Sequence, residues 1–338
     1  MIRENILTGF KYIREGGIKY FLCRFVFFVI YRKNDCLGKL KYAFARIRTK
    51  EGDYPKIIVN DNLMCIDVQD KGICKELYIY RKREQFSTEF IKKILTENGI
   101  IIDIGSNIGY YALIEAQVAN RGEVYCIEPV STNVEILKRN IALNHYNNIS
   151  VFQYAIGDKD GKGKMYICDK CNISSFIKKP EANLISEIEV PLLTLDKFVE
   201  RYVHCYPTFI RMDVEGYEYQ IIKGSSKILE ETKSLKIYIE LHPHLMRREN
   251  MIELLDILKQ NGFEVRAIFL EPDSSICMNI ALINKLRRVI ELPEFGYIGE
   301  GYKKLEQILL GEGICVNVFF EKVNCSSTKN KPNQRKYS

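Results

Sequence analysis

Between residues 100 and 270, short apolar runs rich in β-branched residues alternate with segments whose apolar residues recur at helical spacing. This alternation restricts the fold more than any other feature of the chain. Ile100 to Ile104, Glu123 to Ile127, Ser150 to Ala155, Thr208 to Met212, Ser234 to Leu241 and Phe263 to Leu270 read as buried strands. The intervening pattern predicts helices over Tyr110 to Ala119, Thr132 to Asn144, Thr194 to Arg201, Tyr217 to Lys223, Ser225 to Glu230 and Asn250 to Gln260. Strands that are apolar almost throughout need cover on both faces, so the expected fold is α/β, a mostly parallel sheet between two layers of helices.

Outside this alternation the elements are less regular. Lys56 to Met64 and Cys74 to Arg81 read as short strands around an Asp67 to Gly72 turn, and Glu84 to Leu95 as a helix stopped before Gly99. Gly157 to Val190 is polar and reads as a hairpin; a mixed region runs to Leu310, and Gly313 to Lys322 closes as a strand. No internal repeat or long linker interrupts residues 84–323, which therefore form one domain.

Hydrophobic residues make up 46% and charged residues 28% of the 338, a globular balance that argues against a disordered chain. The net charge of +7 is mild and its excess gathers at the two ends. No basic run interleaved with aromatics crosses the middle, so nucleic acid is not an expected partner. The 11 cysteines are odd in number and lack framework spacing, and no signal peptide precedes them. They read as reduced thiols of a cytoplasmic protein. Cys168 and Cys171 form one CxxC, but nothing nearby completes four zinc ligands, so coincidence on a loop is the better reading.

Ile18 to Tyr31 is the one long apolar run; it is shorter than the roughly 20 residues that cross a bilayer, and it carries Arg24. Two readings stay open: a helix packed on the domain, which is the plainer one, and an interfacial helix in peripheral membrane contact. Lys11, Arg14, Lys19, Arg32 and Lys33 flank it for the second role. The expected division is a basic helical region over 1–55, a main domain over 56–323 with its core at 84–323, and a disordered basic tail over 324–338.

Ligands of parallel sheets sit outside the carboxyl ends of the strands. Those ends carry Asp103, Glu128, Ala155 followed by Asp158, Asp213 with Glu215, and Glu240 with His242 and His244. Any one of these acids more often caps a helix than catalyses, and His244 suits a cap near Asn250. Five strand ends in succession point to a site. The Gly99 to Gly109 stretch is a strand, a glycine turn and a helix start, a layout that presents backbone N–H groups to a ligand. Asp103 stands where the dinucleotide fingerprint has its first glycine. An anionic side chain there repels phosphate and suits a cationic amino-acid moiety. Glu128, 25 residues further on, is positioned to hold both hydroxyls of a ribose. S-adenosylmethionine meets these demands.

The motifs also carry a resemblance. Ile102-Asp-Ile-Gly-Ser-Asn-Ile-Gly-Tyr-Tyr111, Val124-Tyr-Cys-Ile-Glu-Pro129, Asn140-Ile-Ala-Leu-Asn144 and Ala155-Ile-Gly-Asp158 resemble segments of FkbM-type methyltransferases, a branch of the class I S-adenosylmethionine-dependent enzymes. Ile210-Arg-Met-Asp-Val-Glu-Gly-Tyr-Glu218 with Lys223-Gly224, Ile239-Glu-Leu-His-Pro243 and Val318 to Lys322 agree, and Asp-Val-Glu-Gly is the most distinctive part. The resemblance spans roughly residues 56–323; Ser106 stands where the family more often has Ala.

The resemblance implies a Rossmann-like seven-stranded sheet whose last strand, Gly313 to Lys322, is inserted antiparallel. It implies O-methylation of a hydroxyl on a sugar, glycan or small-molecule acceptor. Asp103, Gly105, Asn107 and Gly109 would surround the methionine part of the cofactor, Glu128 the ribose, and Ala155 to Asp158 the adenine edge. Asp213, Glu215, Glu240 and His242 would face the acceptor, and Asp213, Glu240 and His242 are the candidates to accept its proton. The same four residues suit a divalent metal, a reading ranked below metal independence because an acidic site explains them equally well. Two other readings remain: an NAD-dependent oxidoreductase on a related sheet, and a non-catalytic binding protein that keeps the fold. Nucleic-acid methylation ranks low, since no Asn-Pro-Pro-Tyr-like motif is present.

Overall fold

The computed structural model describes residues 36–50, 52–179, 183–271 and 296–323. The Ile18 to Tyr31 run and the 324–338 tail lie outside them. Among the described residues, no helix is long and apolar enough to cross a membrane.

A helix over 36–48, α1, comes first. It is followed by the hairpin β1 (Lys56–Val59) and β2 (Asn62–Cys65), then α2 (Ile73–Tyr80) and α3 (Gln85–Ile94). The central alternation begins with β3 (Ile100–Ile104), α4 (Tyr110–Val118), β4 (Glu123–Ile127), α5 (Ser131–Leu143) and β5 (Ile149–Phe152). An arm follows, made of β6 (Ala155–Gly157), β7 (Gly161–Cys168) and β8 (Leu184–Thr194), and leads into α6 (Leu195–Phe198). Then come β9 (Phe209–Met212), α7 (Glu218–Lys223), α8 (Ser226–Glu231), β10 (Lys236–Leu241), α9 (Arg248–Gln260) and β11 (Phe263–Leu270). The described chain closes with β12 (Gly296–Gly299), α10 (Tyr302–Glu306) and β13 (Val316–Lys322).

The main sheet has the order β12-β11-β13-β10-β9-β3-β4-β5. Strands β5, β4, β3, β9 and β10 are parallel to their neighbours, and β13 is inserted antiparallel between β10 and β11. These seven strands are the expected ones; β12 adds an antiparallel eighth at the edge beside β11. The chain winds outward from β3 through β4 and β5, then resumes at β9 on the other side of β3. The β3/β9 boundary is therefore the switch point at which a crevice opens.

Side chains alternate across the strands with period two, as a sheet covered on both faces requires. Ile102, Ile104, Ile210, Ile237 and Ile239 join one buried cluster with residues of α6 to α9. Ile101, Phe209, Tyr238, Val124 and Cys126 join the other, with the hairpin and α2 to α5. Asn140 and Asn144 tie the hairpin to α5: the Asn140 carboxamide accepts from Cys65 N–H at 2.6 Å and donates to the Ile108 carbonyl at 2.8 Å. Asn144 makes a matching pair of bonds with the Leu63 backbone. The Asn-Ile-Ala-Leu-Asn motif is thus a structural clamp.

Three expected strands come out differently. Lys56 to Met64 breaks at Asn60 and Asp61, both at positive φ, into the β1–β2 hairpin. Cys74 to Arg81 lies in helix α2, because Ile73, Cys74 and Leu77 are the buried residues and sit at helical spacing. The Ser150 to Ala155 run divides: β5 ends at Phe152 in the main sheet, and Ala155 starts β6 in the arm, where it pairs with β8. The N-terminal cap position of α9 is held by Arg247.

Candidate active site

A cleft opens at the carboxyl ends of β3, β4 and β9, enclosing about 820 Å³ of empty space continuous with solvent. One wall is Gly105 to Asn107 with Glu128, Pro129 and Val130; the arm supplies Ala155, Ile156, Met165 and Phe176. The far wall holds Arg83, Arg211, Asp213, Glu215 and Tyr217. Phe176 stacks on Tyr217 with ring centroids 4.5 Å apart, so the arm leans over the turn that follows β9.

The glycine loop is satisfied from within. Gly105 and Ser106 N–H both donate to the Ile127 carbonyl, Asn107 N–H to Glu128 Oε2, Ile108 N–H to Asn107 Oδ1, and Gly109 N–H to the Ser106 carbonyl. All five amides are committed, which corrects the expectation that this loop presents N–H groups to a ligand. Gly105 itself answers to packing between strands. Its φ is +83°, and a Cβ there would lie 2.1 Å from the Asp213 carbonyl oxygen, so only glycine lets the ends of β3 and β9 come this close.

Asp103 does not line the cleft. It is fully buried, opposite Arg211 in the β3/β9 register, and accepts from the guanidinium at 3.0 Å. Arg211 extends past it, donates to Asp213 at 3.2 Å and lies 3.9 Å over the Tyr111 ring. Burial raises the Asp103 carboxyl pKa even beside this cation. Glu115 is fully buried with neither carboxylate oxygen bonded among the described residues, and burial together with Asp103 holds its pKa well above the usual range. Neither Arg211 nor Glu115 featured among the expected site residues, although each interrupts an otherwise apolar segment.

Glu128 is where the β4 end led one to look. Its Oε1 accepts from Val130 N–H and the Asn133 amide, its Oε2 from Asn107 N–H, and burial raises its pKa to about 7. An ionised carboxylate has about four lone-pair sites, so accepting capacity remains toward the cleft. Ala155 lines the same wall, whereas Asp158 is exposed and off the lining.

The expected acceptor residues do come together. His242 Nε2 lies 3.7 Å from Glu215 and 3.8 Å from Glu240, while its Nδ1 is 2.9 Å from Glu218. Asp213 and Glu215 face the cleft; Glu240 and His242 stand behind them. Burial raises Glu240, and adjacent Asp213 raises it further, well above the usual carboxyl range. Burial also pushes on Asp213, but Arg211, His242 and Arg83 outweigh it, leaving Asp213 below its ordinary value. Burial opposes the His242 charge, yet Glu218, Cys315 and Glu240 outweigh it and raise the imidazole. One ionised and one protonated carboxyl side by side is the arrangement that separates base from acid.

Among the described residues, Asp213, Glu215 and His242 have the spacing of metal ligands, as do Glu240, His242 and Cys315, and Asp70, Cys74 and Cys171. Asp213 and Glu215 already face cations, Arg211 at 3.2 Å and Lys179 at 2.5 Å. Cys168 belongs to none of these groups, and the described cysteines are all free.

Residues 103–265 match the methyltransferase FkbM domain. The chain is 23% identical over 146 residues to Methyltransferase 1 of Beauveria bassiana (strain ARSEF 2860), covering 38% of this chain and 59% of that protein. It thus spans about three fifths of that curated relative. Among solved structures, the methyltransferase FkbM from Methylobacillus flagellatus KT is 20% identical with a TM-score of 0.37, over 55% of this chain and 47% of that one. TYW2 of M. jannaschii in complex with AdoMet is 13% identical with a TM-score of 0.42, over 81% of this chain and 89% of that one. The rRNA methylase structure from Clostridium thermocellum is 11% identical with a TM-score of 0.40, over 72% and 97%. What these comparisons share is methyl transfer, and the match to the FkbM methyltransferase domain spans residues 103–265, just under half of the chain.

Proposed function

We propose that the chain transfers a methyl group from S-adenosylmethionine to a hydroxyl of a sugar, glycan or small-molecule acceptor. The observation that carries this reading is the pairing, across one cleft, of Glu128 on one wall with ionised Asp213 on the other, Asp213 being backed by protonated Glu240 outside the lining. The match of residues 103–265 to the methyltransferase FkbM domain supports methyl transfer.

The cofactor's groups suit these residues. Glu128, with three of its acceptor sites taken, keeps one for a ribose hydroxyl, and Pro129, Val130, Ile156 and Met165 offer apolar surface to a flat heterocycle. The loop amides are all committed, which disfavours a pyrophosphate and with it a dinucleotide. When bound, S-adenosylmethionine supplies an activated methyl on a sulfonium.

The chain's own part is to orient the acceptor and take its proton. Asp213 faces the cleft and is ionised, so it is the group to receive the hydroxyl proton as the oxygen attacks. Arg211 holds it in place, and protonated Glu240 donates to it from behind. Asp103 acts on the site through Arg211 rather than by touching the ligand. Gly109, whose φ is +94°, starts α4, while Asn107 shapes the loop through Glu128.

The test is incubation with labelled S-adenosylmethionine and a panel of sugars, nucleotide sugars, lipid-linked glycans and RNA, with product mass detection. Label on a hydroxyl of a sugar or small molecule supports the reading; label on RNA alone, or cofactor binding with no turnover across the panel, overturns it.

A further inference from the structure

Among the described residues, helix α1 packs by one face only. Tyr42 is buried, donates to the Asp70 carbonyl and meets the Tyr78 ring edge-on at 5.6 Å; Gly38 lies against Ile79. On the opposite face Leu37, Leu40, Phe44 and Ile47 are 49%, 53%, 57% and 81% exposed. Their spacing of three, four and three residues sets them on a single stripe pointing away from the domain. Lys41 and Arg48 border it. An apolar stripe of four large residues with a basic margin marks an interaction surface.

Charge decides among its occupants. Residues 1–50 carry twelve Lys and Arg against three acidic residues. A second copy of the chain would set Lys41 and Arg48 against their own like, and the Ile18 to Tyr31 run, with Arg24 inside it and Arg32 and Lys33 just after it, carries the same sign of charge as the margin. An acidic, apolar surface suits both segments at once.

We propose that α1 is an interfacial helix that lays Leu37, Leu40, Phe44 and Ile47 into an anionic lipid surface, with its basic margin on the headgroups. This proposal does not depend on the methyl-transfer reading. It also has a structural consequence: Tyr42 rests on Asp70, whose carboxylate accepts from Cys74 N–H and from Cys171 N–H, and Cys171 lines the cleft. The lipid-facing helix and the cleft wall are thereby joined through a single residue.

The test is co-sedimentation of the full chain with vesicles of phosphatidylcholine alone or mixed with phosphatidylglycerol, for wild type and for Phe44→Glu combined with Ile47→Glu. Both substitutions lie on the exposed face, and circular dichroism checks that the fold persists. The expected result is wild-type binding to the mixed vesicles only, weakened by added salt, with partitioning reduced about tenfold or more in the double variant. Equal sedimentation of both proteins overturns the proposal in favour of a contact elsewhere in the chain. Absence of wild-type binding also overturns it, and dimers lost in the double variant by sedimentation velocity would then identify a second copy as the occupant.

Discussion

Asp103 and Arg211 stand opposite each other on adjacent parallel strands, with the guanidinium 3.0 Å from the carboxylate. The same guanidinium reaches Asp213 at the cleft. A residue with no exposure is thereby coupled to the one expected to take the proton.

Breaking this buried pair is costly because it strands a charge. Arg211→Met removes the partner of both Asp103 and Asp213 and is expected to lower unfolding stability by about 3–5 kcal/mol. Urea denaturation reads this as a lower midpoint at unchanged slope. Asp103→Asn keeps the shape and one hydrogen bond, and is expected to cost less.

Gly105→Ala sets a left-handed backbone cost and a 2.1 Å clash with the Asp213 carbonyl against each other's relief, since any shift that eases one strains the other. A loss above about 2 kcal/mol is expected. Gly313→Ala, at φ +65° with open space around its Cβ position, isolates the backbone part and is expected to cost about 1 kcal/mol.

Glu128 titrates near 7 when folded, against an ordinary 4.5. The folded state therefore holds this proton more tightly, and the stability it contributes is fully present below pH 4.5 and lost as pH rises through 7. Glu128→Gln stays neutral throughout. The stability of wild type relative to that variant is expected to fall by about 3 kcal/mol between pH 4.5 and pH values above 7, by urea denaturation across the range.

Asp213 and Glu240 are expected to differ in kinetics. Asp213→Asn removes the ionised group at the cleft and is expected to lower kcat by about 10²- to 10⁴-fold with cofactor affinity little changed. Glu240→Gln mimics a carboxyl that is already protonated, so a loss within about tenfold is expected. Single-turnover assays on the identified acceptor measure both.

Much of this was legible from residue order. The apolar runs fixed which strands are covered on both faces, because a sheet buried twice leaves no room for polar alternation. Carboxylates after those runs marked the cleft: Asp213 and Glu215 line it, and His242 and Glu240 cluster with them behind the lining. What was not legible depends on registers between distant strands. That Asp103 faces Arg211, and that Gly105 yields to the Asp213 carbonyl, follow from β9 lying beside β3. Helix α2 was not legible because its Tyr and Ile content suits a strand, while the three buried positions that decide the matter are set by packing.

The most direct test of the central claim is calorimetric titration of S-adenosylmethionine into the full chain, wild type and Glu128→Ala. Saturable binding at one site per chain, weakened at least tenfold by the substitution, is the expected result. Equal affinity in the two proteins, or no binding to wild type, would contradict the account.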